Sequence, residues 1–116
     1  MSARRGLVCG VAAVLILAIS APNARASSIV EFAKCSGILV LAAALTKSDD
    51  PEHSKIYLED ANALETKASK LKGFDRRTFM EIAFDQEGDY MEVLKKNAAS
   101  ATDFWSDAGY CRGLAQ

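Results

Sequence analysis

Cys35 and Cys111 stand 76 residues apart in a chain of 116. If they are bonded, the first and last elements of the fold have to meet, because bridged Cα atoms lie within about 7 Å of each other. Bonding depends on compartment, and the start of the chain bears on that. Arg4 and Arg5 come first, Leu7 to Ile19 is an apolar run broken only by Gly10, and Ala24-Arg25-Ala26 is the small-x-small pattern cut by signal peptidases. Residues 1–26 are therefore expected to be a cleavable signal peptide and residues 27–116 a single helical domain, periplasmic or secreted. The apolar run falls short of the ~20 residues a spanning helix needs, so no membrane span is expected after cleavage. Cys9 precedes the apolar run, where lipid attachment is not expected, and it leaves with the signal. The two remaining cysteines, in an oxidising compartment, are expected to pair. Closing so long a loop is worth on the order of 4 kcal/mol in the chain-entropy model, a useful supplement to a small core.

Removing the signal also changes the charge. Arg4, Arg5 and Arg25 leave and no acidic residue does, so the 14 basic side chains fall to 11 against 15 acidic ones, a net charge of −4. That balance gives no support to nucleic acid as a partner, since phosphate binding rests on Lys and Arg.

The expected class is all-α, an up-and-down four-helix bundle with one disulfide. Strand-like alternation is absent and long segments keep a 3.6-residue period. Ser28 with Glu31 three residues on is a capping box, opening a first helix that runs to about Thr46. Asp50 is the next N-cap, with Pro51 at the first helical position. The second helix carries Tyr57, Ala61, Leu64, Ala68 and Leu71 on one face and stops near Lys70 to Gly73, where a glycine suits a left-handed turn. Asp75 caps the third, with Phe74 and Phe79 placed as a hydrophobic staple. From Phe79 onward, Ile82, Ala83, Tyr90, Val93, Leu94, Ala101, Phe104, Trp105 and Ala108 keep one phase. An unbroken helix from Asp75 to Arg112 would be ~57 Å long, about twice the first. It must break, and Gly88-Asp89 offers a poor helix former followed by a good cap. Helix parity agrees: an early cysteine and a late one meet in an up-and-down bundle only if the number of helices is even.

Chemistry-bearing patterns are sparse. The chain has one histidine, His53, and no cysteine left for nucleophilic work, so no catalytic residue, cofactor or metal is expected. His53 lies near Asp49, Asp50 and Glu52 and reads as an exposed first-turn residue or, less simply, a pH sensor. Asp85-Gln86-Glu87-Gly88-Asp89 resembles the opening of a calcium loop, but position twelve is Lys96 where a bidentate Glu is required. Phe104, Trp105 and Tyr110 offer aromatic surface, although the first two are in phase with the core.

Three surface features remain. With a break at Gly88, the first and third turns share an acidic end built from Asp49, Asp50, Glu52, Asp85, Glu87 and Asp89. Lys70, Lys72, Arg76 and Arg77, with Arg112 nearby, make the opposite end basic, suited to an acidic partner or anionic headgroups. Arg76 and Arg77 are notable because positive charge at a helix N-terminus is unfavourable. The second half of the first helix, Gly37 to Leu45, is apolar on every side, and Ile38, Leu41 and Leu45 continue the outward row of Glu31 and Lys34. Three such side chains left in water forfeit ~1.5 to 3 kcal/mol each, which predicts a covering partner or a neighbouring helix.

These features point to a small exported non-enzymatic protein that binds another protein, of the inhibitor, immunity or envelope-interaction type. The expected binding residues are Ile38, Leu41, Leu45, Lys70, Lys72, Arg76 and Arg77, and the expected partner is another envelope or secreted protein, or a second copy in a homodimer. The alternative is an acid- or envelope-stress chaperone. Protonating all 15 carboxylates would swing the charge from −4 to about +11, and self-repulsion would open the bundle.

Overall fold

The structure, a computed structural model, describes residues 28–116. The expected signal and its cleavage site lie outside the described residues. Four α-helices fill the described chain: α1 (Ser28–Thr46), α2 (Pro51–Ser69), α3 (Arg76–Lys96) and α4 (Ala101–Ala115), with a single 3-10 turn, Ala98–Ser100, between the last two. No strand occurs among the described residues.

The local signals at the first two turns act as read. Asp50 accepts a hydrogen bond from the His53 amide at 3.1 Å, and Pro51 opens α2. Past the end of α2, Gly73 turns the chain with φ +93°, a region that side chains avoid. Asp75 accepts from the Thr78 amide (2.9 Å) and hydroxyl (2.7 Å), and the Phe74 and Phe79 rings meet at 5.7 Å. The third turn is elsewhere. α3 runs straight through Gly88 and stops at Asn97, whose backbone is extended (φ −147°, ψ 100°) and whose side chain accepts from the Ala99 amide at 3.0 Å. One glycine costs a helix only ~1 kcal/mol. Tyr90 and Leu94, in phase with Phe79 and Ala83, offset that cost by packing against the core. The resulting 21-residue helix is ~31 Å long, a match for the 19 residues of α1.

The helices run up and down, and α1 lies against the other three. Ser54 of α2 donates to the Ala43 carbonyl at 2.7 Å, near the end of α1. Ala33, Ala68 and Phe79 form a small core cluster at its beginning. Gly37 allows α3 to approach so closely that an added Cβ would sit 2.1 Å from the Ala83 carbonyl oxygen. The Cys35–Cys111 disulfide joins α1 to α4, with Cα atoms 5.2 Å apart, as the even helix count requires.

That central position corrects the expected outward strip. Ile38 and Leu41 are 6% and 4% exposed, within the main core cluster with Leu39, Ala61, Leu64, Phe104 and Ala108. Only Leu45, at 48%, reaches water. Tyr90 and Leu94 of α3 pack on the cluster that holds Ile38 and Leu41. α1 has the length and hydropathy of a membrane-crossing helix because it is the axis about which three others are arranged.

Candidate functional site

The structure separates the expected binding residues into two groups. Ile38, Leu41 and Leu45 do not form a surface. Lys70, Lys72, Arg76 and Arg77 do converge, all exposed, around the turn between α2 and α3. Arg76 pairs with Glu65 at 3.0 Å and Arg77 with Glu81 at 3.8 Å, whereas Lys70 and Lys72 have no ion-pair partner among the described residues. Arg112 belongs to another feature, bound to Asp60 at 2.9 Å and lying 5.8 Å from the Tyr57 ring centre. The acidic end does not form. With the break moved to Asn97, Asp85, Glu87 and Asp89 lie along α3, and Lys95 and Lys96 occupy the third turn beside it. No three potential ligating side chains converge on a metal site among the described residues. His53 contacts Asp50 through Nδ1 at 3.1 Å, half exposed, with Tyr57 stacked at a tilt beyond it. Phe104 is fully buried; Trp105 sits edge-on against it at the surface.

A groove of about 870 Å³ is bounded by α1, α3 and α4. Its floor is the disulfide together with Ile38. Val30, Glu31 and Lys34 of α1 form one wall; Gln86 and Tyr90 of α3, with Asp107 and Tyr110 of α4, form the others. Two tyrosine–carboxylate contacts brace it. The Tyr110 hydroxyl donates to Glu31, tying α4 to α1, and the Tyr90 hydroxyl donates to Asp107, tying α3 to α4. The Tyr90 ring also meets Phe104 edge-on at 5.1 Å. A smaller hollow of about 280 Å³, lined by Gln86, Asp89, Tyr90 and Val93, extends it along α3.

The electrostatics follow from that lining. Partial burial, and then the Asp107 carboxylate, push the Tyr90 phenol up to about 12. Glu31 raises Tyr110 in the same way, chiefly through their hydrogen bond. Each carboxylate keeps acceptor capacity after taking one tyrosine proton. Glu31 and Asp107 against Lys34 leave the groove with one net negative charge, and Asp89 adds a second beside it.

No family model, curated protein or solved structure matches this chain. No histidine lines the groove, and both of its sulfurs are bonded to each other. What the lining offers is apolar contact, two hydroxyls, the Gln86 amide, the Lys34 ammonium and two carboxylates.

Of these residues the sequence marks the cysteines, Ile38 and, as aromatic surface, Tyr110. A signal for Glu31 existed as well. Tyr110 adjoins Cys111 and Glu31 lies one turn before Cys35, so the disulfide alone sets them on facing helices. Tyr90 and Asp107 had no comparable marker, because their meeting depends on where α3 ends.

Proposed function

We propose that this chain is an exported, non-enzymatic binding protein whose groove between α1, α3 and α4 receives an apolar segment of a partner protein bearing a lysine or arginine. The observation that carries the reading is the groove's make-up: Val30, Ile38 and two tyrosine rings for an apolar side chain, with Glu31 and Asp107, which outnumber the single cation Lys34, beside them for a positive charge. Its volume suits a few side chains, as in grooves that take one face of a helix. The disulfide favours an oxidising compartment, consistent with export.

Site-specific photo-cross-linking in the cell envelope tests this. A photoreactive residue at Val30 or Gln86 should trap one partner, and the trapped peptide should contain apolar residues flanking a Lys or Arg. Val30 is partly exposed, so Val30→Glu keeps the fold and should abolish capture from Gln86. Equal capture from Leu58, on α2 away from the groove, would overturn the proposal, as would cross-links solely to a second copy of the chain.

A second reading, an acid-activated chaperone, is favoured by a different observation. Four side-chain contacts between helices each use a carboxylate: Glu31–Tyr110, Asp60–Arg112, Glu65–Arg76 and Asp107–Tyr90. Self-repulsion of a strongly positive chain in acid would act against these inter-helix contacts. Apolar-dye binding and circular dichroism should then change between pH 7 and pH 2; flat curves exclude it.

A further inference from the structure

We propose that a second copy of this chain seats the basic end of its bundle on the exposed face of α3, so that copies associate end to side. At about 100° per residue, Phe84, Asp85, Gly88, Met91 and Glu92 fall within about 120° of one another on α3. All five are exposed. Phe84 and Met91 retain 60% and 42% exposure, and neither belongs to a core cluster. Gly88 lies between them with nothing within 4 Å of the position a Cβ would take, which leaves a shallow notch flanked by an aromatic ring and a thioether. Residues 84–92 also carry four carboxylates, Asp85, Glu87, Asp89 and Glu92, and no cation. Among the described residues their one ion pair, Glu92 with Lys96 at 3.6 Å, is itself largely exposed.

The complement of that face is on the same molecule. Lys70, Lys72, Arg76 and Arg77 are exposed around the turn between α2 and α3, with half-buried Leu71 and Phe74 between them. The one carboxylate in that turn, Asp75, is taken up by Thr78. Arg76 and Arg77 stay 74% and 88% exposed beside Glu65 and Glu81, and pairs so exposed are weak enough to exchange. Four cations around two apolar side chains thus match four carboxylates around two apolar side chains. This charge complementarity selects a second copy and fixes its orientation. End on end sets like charges together, and so does side on side, whereas end on side joins opposites. The two surfaces differ, so each copy in a pair keeps one of them free and association continues into open chains. A few charge pairs and apolar contacts make a transient interface, and dilute chains are monomers. Gln86, on the other side of α3, faces the groove, which takes no part.

The test is analytical ultracentrifugation of the purified, oxidised chain over a wide concentration range. Average mass should rise with concentration without levelling at a dimer, and fall back as salt is raised. Lys70→Gln with Lys72→Gln disables the end, and Phe84→Gln with Met91→Gln disables the side. Each double variant should lower association at least tenfold with circular dichroism unchanged. Leu58→Gln, at an exposed apolar position on α2, should change nothing. Mixed in equal amounts, the two double variants each supply the surface the other lacks, so the mixture should form dimers and stop there. No association of the native chain, loss from only one double variant, loss from Leu58→Gln to the same degree, or a mixture that stays monomeric overturns the proposal. Growth of the native chain that halts at a dimer also overturns it, in favour of a symmetric contact. Capture by the groove is measured separately, and its outcome leaves these unchanged.

Discussion

Gly37 and Gly88 are both helix-interior glycines, and their surroundings make opposite demands. A methyl at Gly37 meets the backbone of Ala83, which can yield only if α1 and α3 separate; one at Gly88 meets nothing within 4 Å. Gly37→Ala should therefore cost about 2–3 kcal/mol in urea denaturation. Gly88→Ala should instead stabilise the chain by about 1 kcal/mol, the ordinary difference in helix propensity. Tyr90 gives a pH signature. Its folded pKa lies above its unfolded value, so its contribution is intact below pH 10 and disappears as pH rises from 10.0 toward about 12. Denaturant midpoints across that interval should fall more for the native chain than for Tyr90→Phe, which keeps the ring on Phe104 and lacks the ionisable hydroxyl.

Among the helices, α3 is the least covered. Only Phe79 and Ala83 are buried along it, both in its first half, while Phe84, Met91 and Val93 are exposed. Amide exchange should thus be fastest, within the helices, over residues 84–96, and uniform protection across α3 would contradict this. The position of its end shows what was readable locally and what was not. Asp50-Pro51 and Phe74-Asp75 could be read directly because each cap is completed within four residues. Gly88-Asp89 carried an equally good local mark, yet Tyr90 and Leu94 beyond it pay for continuation through contacts with α1 and α4, which no local pattern displays. Asn97→Ala should accordingly destabilise the chain by about 1 kcal/mol, and Asp89→Ala by almost nothing.

At the scale of the molecule, the bundle and its disulfide were legible because period, caps and helix parity constrain one another. The groove was legible only along the α1–α4 seam that the cysteines define. Ile38 and Leu41 were misplaced for a related reason: an apolar perimeter on a helix reports burial, but not whether the cover comes from this chain or from another. Here α3 supplies it. The disulfide ties the two ends of a loop covering most of the described chain, so replacing both cysteines by serine should lower stability by on the order of 4 kcal/mol. The same bond forms the groove's floor. Because one of its sulfurs belongs to the last helix, it cannot form in a chain that emerges N-terminus first until that helix has followed the other three. A nascent chain paused before α4 would have neither floor nor far wall, so under the proposed function the groove could receive a partner only after α4 has emerged and the bond has closed.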